Sequence, residues 1–231
     1  MATIYTIGHS TRTPGDLVAA LRGHGVKTLV DIRSFPMSRR MPHFNRESLE
    51  VELPKQGIAY VWLKELGGRR KKILQDSPNT ALRNDAFRNY ADYMMTEEFA
   101  EGVARLLAIA TGTSDPSTAH SPALQRSRAE EFDERSAQDD RSNAGPSIRS
   151  PEATSLGMTS REGKSRGGVA IMCAERVYFQ CHRMLVSDYL AAHGHTVLHI
   201  DDEKRAVRPH KLMPEARLVD GKLVYDGGRL Q

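Results

Sequence analysis

The sequence contains little cysteine, few aromatic residues and no long apolar run. Two of its 231 residues are cysteines, one is a tryptophan, and aromatic residues make up 6% of the chain. Two thiols in a chain of this length do not form the disulfide framework of a small secreted protein. No stretch approaches the roughly 18 apolar residues of a membrane helix, and MATIYTIGHS does not look like a secretory signal. We therefore expect a cytoplasmic protein with reduced thiols and no membrane contact.

Apolar residues are also scarce over part of the chain. They make up 39% of the sequence, below the roughly 45–50% of a typical globular protein. They are rarest between residues 111 and 168, where Ser, Arg, Glu and Asp predominate. Ordering such a segment costs backbone entropy that no buried core offsets. The composition predicts one α/β domain formed by residues 1–110 and 169–231, with residues 111–168 as a low-complexity, disordered insertion.

The rest of the chain alternates between strand-like and helix-like patterns. The runs TIYTIG, KTLVDI, IAYVWL, GVAIMC and TVLHI predict five buried strands. The first predicted helix has Thr13 as its cap and Pro14 at its first position. For the second, Asn45 is expected to cap the helix, and Pro54 and Gly57 to end it.

This alternation predicts a single α/β domain built on a mostly parallel five-stranded sheet. Helices should cover both faces of the sheet, as in Rossmann or flavodoxin-like layering. Asp220 and Gly221 lie between alternating residues near the end of the sequence, so a short C-terminal β-hairpin should follow the sheet. In sheets of this kind, ligands bind beyond the carboxyl ends of the strands.

Three polar clusters follow predicted strands and contain candidate ligand-binding residues. Glycine-containing loops can present backbone N–H groups to an anion, and arginines can grip it. Asp31 can orient Arg33 or act as a base, and a structural ion pair between these two side chains is the alternative. Tight turns and solvated basic loops are the alternatives for the other members. The candidates for ligand binding in these clusters are His9, Ser10, Arg33, Ser38, Arg39, Gly67, Gly68 and Arg69.

The fourth cluster, CAERVYFQCHR, carries both cysteines. Cys173 closes a buried strand, where a cysteine is often an inert core residue, although it can also line a ligand site. Cys181 stands where the next helix begins. The helix N-terminus together with His182 and Arg183 should lower the pKa of this thiol. Glu175 can accept a proton or hold Arg183.

Several kinds of chemistry fit these residues. We expect Cys181, His182, Glu175 and Asp31 to be catalytic, with Cys181 as a nucleophilic or redox thiol and Arg183 as a ligand-binding residue. A structural role for the whole cluster is the alternative. A zinc site prefers four ligands, and the cluster offers three at an unfamiliar spacing, so no metal site is predicted.

The motifs taken together resemble a known bacterial family. TIGHS, LVDIRSFPMSR, LGGRR, YADYM, CAERVYFQCHR and HGHTVLHI are similar to the family called domain of unknown function 488, also known as YeaO-like. The resemblance implies an α/β sandwich and a clustering of the signature positions, but no reaction. The insertion at residues 111–168 departs from the compact family pattern. A looser resemblance links the strand that ends in Cys173 to rhodanese-type sulfurtransferases, whose cysteine loop is shorter.

These observations lead to three hypotheses about function. The first is an enzyme, or a degenerate one, that binds an anionic small molecule, a nucleotide or nucleic acid at the carboxyl edge of the sheet. The second is a nucleic-acid or nucleotide binding module without catalysis, which the net charge of +4 and the pI near 9.1 permit. The third is a thiol-redox, sulfurtransferase-like or metal-binding protein. The sequence identifies no cofactor and no oligomeric state.

Overall fold

The computed structural model describes residues 1–113, 167–201 and 206–228. Six strands form the central sheet: β1 (Thr3–Gly8), β2 (Val26–Asp31), β3 (Ala59–Trp62), β4 (Gly168–Cys173), β5 (Thr196–His199) and β6 (Arg208–Pro209). Their order in the sheet is β3-β2-β4-β1-β5-β6, and every neighbouring pair is parallel except β5 with β6. The five predicted strands are therefore confirmed, and the short antiparallel strand β6 is an addition at the edge.

Helices cover both faces of the sheet, as predicted. The first face is covered by α1 (Pro14–Gly23) and α2 (Arg46–Lys55), whose leucines pack on Ile7, Leu29 and Met172. The second face is covered by α3 (Asp85–Tyr93), α4 (Glu97–Thr111) and α5 (Arg183–Ala192). A two-stranded hairpin follows, formed by β7 (Ala216–Val219) and β8 (Lys222–Tyr225). Leu223 and Tyr225 of this hairpin pack in the core between the second face of the sheet and its helices.

Local signals in the sequence explain where several elements begin and turn. The Thr13 side chain accepts a hydrogen bond from the backbone N–H of Asp16, and the Asp16 carboxylate accepts one from the backbone N–H of Thr13. This reciprocal box fixes the start of α1; the cap at Thr13 is as predicted, and the return bond of Asp16 is an addition. At the hairpin, Asp220 and Gly221 have φ angles of 49° and 75°. Both therefore lie in the left-handed region that a two-residue hairpin turn of type I′ requires.

Two expectations about α2 are wrong in detail. Asn45 stands at the N-cap position, but its side chain makes no capping bond to the helix. Its Oδ1 accepts instead from the backbone N–H of Ser38 at 2.6 Å, so the side chain holds the preceding loop. Pro54 does not end the helix, which continues to Lys55 before Gly57 adopts a φ of 70°. A proline in the last turn costs the helix one hydrogen bond, and the glycine provides the stop.

Residues 114–166 lie outside the described residues, so the predicted disorder of the insertion stays a prediction. Within the described parts of the chain, no helix is long and apolar enough to cross a membrane.

Candidate functional site

The loops that follow β1, β2 and β4 meet at the carboxyl edge of the sheet. Gly8 at the end of β1 stands beside Cys173 at the end of β4, and Asp31 of β2 stands beside Met172. A Cβ atom on Gly8 would overlap with the carbonyl oxygen of Glu175. Glycine at this position therefore lets the loop after β4 lie directly against the end of β1.

Cys173, Cys181 and His182 form a compact buried cluster at this edge. One ligand-type atom from each residue lies within 4.8 Å of the others. The Nδ1 atom of His182 is 3.4 Å from Sγ of Cys181 and 3.8 Å from Sγ of Cys173. Cys181 is 3% exposed and Cys173 is 8% exposed. The sequence predicts a packed Cys173 and a reactive Cys181. In the structure both thiols are buried, and both lie beside the imidazole of His182.

The orientation of His182 is fixed by a backbone carbonyl. Its Nε2 atom lies 3.0 Å from the carbonyl oxygen of Ile32. A carbonyl only accepts hydrogen bonds, so Nε2 carries the proton and, in the neutral ring, Nδ1 has a free lone pair. That lone pair faces the two sulfur atoms. His182 is therefore placed to accept a thiol proton.

The surroundings distinguish the two thiols electrostatically. The pKa of Cys181 is well below its ordinary value, chiefly because Cys173 donates a hydrogen bond to it, and also because His182 and Arg183 stabilise the thiolate. The same hydrogen bond, together with burial, raises the pKa of Cys173. The backbone N–H of Arg183, in the first turn of α5, points at Sγ of Cys181 over 3.5 Å. The surroundings therefore favour ionisation of Cys181, at a helix N-terminus, over ionisation of Cys173.

Arg183 is a buried cation without a carboxylate partner among the described residues. It is 1% exposed. Its Nη2 atom donates to the carbonyl oxygens of Glu175 at 2.6 Å and Arg176 at 3.2 Å. Its Nε atom is buried without a hydrogen-bond partner. The Glu175 carboxylate does not hold Arg183, contrary to one expectation, because the side chain is exposed and only its carbonyl takes part.

Asp31 and Arg33 form a second buried cluster at the same edge. Nε of Arg33 donates to both carboxylate oxygens of Asp31, at 2.9 and 3.0 Å, and Tyr60 donates to Asp31 at 2.8 Å. Arg33 also donates to Nε2 of His9 at 3.2 Å and to the Phe44 carbonyl at 2.8 Å. Burial, and then Arg33, lower the pKa of His9 to about 4. The geometry is that of the structural ion pair, the alternative that the sequence left open.

The two clusters face different cores. Tyr60 and Phe44, which contact Asp31 and Arg33, pack in the core beneath α1 and α2. The ring of His182 instead packs edge-on against Tyr90, in the core beneath α3, α4 and α5. The structure thus brings Cys173, Cys181, His182 and Arg183 together and places the partners of Asp31 in the other core, although Arg33 interacts electrostatically with Cys173.

Other predicted ligand-binding residues have local structural roles. The backbone N–H groups of His9 and Ser10 donate to the carbonyl oxygens of Cys173 and Ala174, so they do not face a ligand. The hydroxyl of Ser38 accepts from the backbone N–H of Met41 within its own loop. Each of these groups serves to join or shape loops at the edge.

The two glycines after β3 approach protein side chains closely. A Cβ atom on Gly67 would lie 2.7 Å from Oγ of Ser34, and one on Gly68 would overlap with the His182 ring. The sequence predicts that the backbone at these glycines approaches a ligand closely. In the structure it approaches the side chains of Ser34 and His182. Arg39 and Arg69 stay on the exposed surface of the same loops.

Sequence reasoning missed a chain of buried side chains that leads away from Arg183. The guanidinium contacts the hydroxyl of Thr6 at 3.4 Å, and this hydroxyl contacts Nδ1 of His199 at 2.8 Å. His199 Nε2 contacts His210 Nδ1 at 3.0 Å, and His210 Nε2 contacts Asp188 at 2.8 Å. The Asp188 carboxylate can only accept a hydrogen bond. With both imidazoles neutral, His210 therefore donates to Asp188, His199 donates to His210, and the Thr6 hydroxyl donates to His199. These residues are scattered along the chain, and among them only Arg183 is a predicted site residue.

The cluster of two thiols and one imidazole could also hold a soft metal ion. Zinc in catalytic sites commonly takes three protein ligands and keeps one position open. A ligand histidine usually donates its other ring N–H to a carbonyl or carboxylate, as His182 does to Ile32.

Comparison with known proteins gives one family. A family model described as "Domain of unknown function DUF488" matches residues 14–120. This range includes α1, β2, α2 and β3, and it ends before both cysteines. No curated protein and no solved structure matches the chain significantly. The match confirms the resemblance in the part of the sequence that it covers.

Proposed function

We propose that this chain, whose residues 14–120 match the DUF488 family model, is an enzyme that acts on an anionic substrate through the thiolate of Cys181. One observation carries the proposal: the lone pair of His182 Nδ1 faces Cys181 at 3.4 Å while its Nε2–H is held by Ile32. This is the nucleophile–base–orienting group arrangement of covalent catalysis, with a backbone carbonyl as the orienting group.

The residues around Cys181 have separate roles in such a reaction. The thiol proton moves to Nδ1 of His182, which leaves a thiolate beside the N-terminus of α5. The sulfur then forms a bond with an electrophilic atom of the substrate. The leaving group departs with the electrons of the broken bond and takes the proton from His182, and water later hydrolyses the thio-enzyme. Arg183, buried without a carboxylate partner in the described residues, stabilises the negative charge of the thiolate and of the substrate.

The pH dependence of thiol alkylation tests this proposal. Iodoacetamide labelling of the full chain, followed residue by residue with mass spectrometry, gives a midpoint for each cysteine. We expect Cys181 to label with a midpoint at least about one pH unit below the ordinary thiol value of about 8.5. The Cys173→Ser variant can still donate a hydrogen bond, whereas Cys173→Ala cannot. The midpoint should therefore rise further in Cys173→Ala.

Labelling in urea provides the control for access to the thiols, because both cysteines should react there with ordinary midpoints. If Cys181 reacts in urea but not in the folded chain between pH 6 and 9, or reacts there with an ordinary midpoint, the nucleophile role is wrong.

A metal-dependent enzyme is the second candidate, and it depends on a separate observation. Three ligand-type atoms of Cys173, Cys181 and His182 lie within 4.8 Å of one another. Bound zinc would supply a Lewis acid, and these residues would leave it an open position for substrate. Elemental analysis should then find one zinc per chain in the purified protein and much less in Cys181→Ser. Cobalt added to the metal-free protein should give a thiolate-to-cobalt absorption band. If the purified protein retains no zinc and the cobalt-treated protein shows no such band, the metal-dependent candidate is excluded.

A further inference from the structure

Two large apolar side chains are exposed in the loop that begins at Ile32, whose carbonyl contacts His182 of the thiol cluster. Phe35 is 68% exposed and Met37 is 74% exposed, both in the loop after β2. Pro36 between them is buried, and its carbonyl accepts from the backbone N–H of Arg46 at 2.9 Å. The backbone of this loop is therefore anchored while the two side chains on either side of the proline project into solvent. Exposed apolar groups held in this way are typical of contact surfaces.

The loop after β2 and the loop after β3 are strongly cationic. No Asp or Glu occurs in residues 32–46 or 66–75, which contain eight Arg or Lys residues. Some of these cations have structural tasks: Arg33 pairs with Asp31, and Arg70 binds the carbonyls of Lys64 and Glu65. Five exposed cations have no carboxylate partner within the described residues: Arg39, Arg40, Arg69, Lys71 and Lys72. We call these five cations, together with Phe35 and Met37, the cationic-aromatic surface.

The two loops of this surface are joined to each other and to the thiol cluster. The backbone N–H of Arg69 donates to the hydroxyl of Ser34 at 2.8 Å, and the Arg69 guanidinium lies 5.9 Å from the centre of the Phe35 ring. The first loop begins at Ile32, whose carbonyl holds His182, and the second passes His182 at Gly68. A ligand on the cationic-aromatic surface would therefore lie next to the proposed reaction centre.

We infer that the cationic-aromatic surface binds single-stranded nucleic acid, with a base stacked on Phe35 and phosphates on the five cations. An aromatic ring beside unpaired arginines and lysines is the combination that binds single strands, because a base stacks on the ring while cations follow the backbone. In a duplex the bases are already stacked on each other, so Phe35 would find no base to contact. This inference names the substrate class of the proposed enzyme. For the chemistry it rests on the proposed function, but the binding can be measured without it.

Fluorescence anisotropy with a labelled 12-nucleotide DNA or RNA tests the inference in the full-length Cys181→Ser chain. We expect the single strand to bind more tightly than a duplex of the same sequence. On a double-logarithmic plot, affinity should fall with salt with a slope of about −3.5 if all five cations contact phosphates, at roughly 0.7 per phosphate. Phe35→Ala should weaken binding at least about fivefold, since a stacked base contributes about 1–3 kcal/mol. The matched control is Val51→Ala, which removes an exposed apolar side chain from α2 and should leave affinity unchanged.

A pair of charge variants tests the cations separately. Arg39→Gln combined with Arg40→Gln should reduce the salt slope by about 1.4, at roughly 0.7 per lost phosphate contact. Lys55→Gln, at the end of α2, should not change it. Circular dichroism spectra would show that each variant is folded.

Three results would overturn the inference: equal affinity for duplex and single strand, unchanged affinity in Phe35→Ala, or tighter binding to vesicles of anionic lipid than to the oligonucleotide. Failure of the proposed function would look different. If the oligonucleotide binds as expected but Cys181 of the native chain has an ordinary alkylation midpoint, only the thiol chemistry is wrong. If the midpoint is low and no oligonucleotide binds, only the substrate class is wrong.

Discussion

His182 donates its Nε2–H to the carbonyl oxygen of Ile32 at 3.0 Å, although 150 positions separate the two residues in the sequence. This bond connects the start of α5 to the end of β2 and leaves Nδ1 facing the two thiols. The backbone of Gly68 lies against the same ring, and Tyr90 packs against it edge-on. The imidazole is therefore held from three directions, which is what a proton acceptor of defined geometry requires.

Gly68→Ala should disturb this imidazole directly. The new Cβ would overlap with the ring, so His182 must move and lose its contact with Ile32, Cys181 or both. We expect a loss of about 1–3 kcal/mol in the free energy of unfolding, as for other overpacked sites, and a higher alkylation midpoint for Cys181. Urea unfolding and alkylation measure these two effects. Gly15→Ala is the control, because the added Cβ would find its nearest neighbour, Oγ1 of Thr13, at 3.7 Å; equal behaviour of the two variants would contradict the prediction.

Asp31→Asn should be strongly destabilising because it leaves Arg33 charged and buried. Arg33 is 6% exposed, and Asp31 is its carboxylate partner within the described residues. Removing one partner of a buried ion pair costs about 3–5 kcal/mol. The control is Glu52→Gln, which breaks the exposed pair with Lys55 and should cost less than about 1 kcal/mol.

The double variant Asp31→Asn with Arg33→Met should recover part of this loss, because no uncompensated charge then remains. Guanidinium unfolding of Asp31→Asn, of Glu52→Gln, of the double variant and of the native chain gives the four free energies. A cost below about 1 kcal/mol for Asp31→Asn would show that water or a neighbouring group replaces the carboxylate.

The free energy of unfolding should fall as the pH decreases from about 6.5 toward 4. Burial is the main cause that lowers the pKa of His9 to about 4 and that of His199 to about 3. In the unfolded chain both histidines take up protons near pH 6.5, so between these values the unfolded state binds more protons than the native state. Each histidine then contributes a loss of about 1.4 kcal/mol per pH unit. Chemical unfolding between pH 8 and 4.5 measures the slope, and a free energy constant between pH 6.5 and 5 would contradict the prediction.

The sequence was sufficient to predict the layered fold because the relevant signals are local. Apolar runs such as GVAIMC mark buried strands, and Thr13 followed by Pro14 marks a helix start. Asn45 was misjudged because its side chain had two backbone donors within reach, and the loop N–H of Ser38 forms the bond. Only the path of that loop decides between the two donors, and helix-capping rules do not describe it.

For the site, the sequence indicated the correct residue types but not their distances. The motif CAERVYFQCHR placed Cys181 and His182 at a helix start, and the structure agrees. That the thiol of Cys173 meets Cys181 depends on how the intervening loop folds back over Gly8, a contact between distant segments. The chain from Thr6 through His199 to Asp188 has the same origin, since three separate elements contribute to it.

Arg183→Met should change both the loop after β4 and the thiol of Cys181. The guanidinium donates to the carbonyl oxygens of Glu175 and Arg176, so its loss should raise hydrogen exchange of the backbone amides in residues 174–180. Because the cation also helps to lower the pKa of Cys181, the alkylation midpoint should rise. Arg183→Lys keeps the charge but not the paired donors, so it should restore the midpoint more than the protection of the loop. Mass spectrometry reads both quantities in the same sample, and a midpoint unchanged in Arg183→Met would show that the helix N-terminus and His182 stabilise the thiolate without this cation.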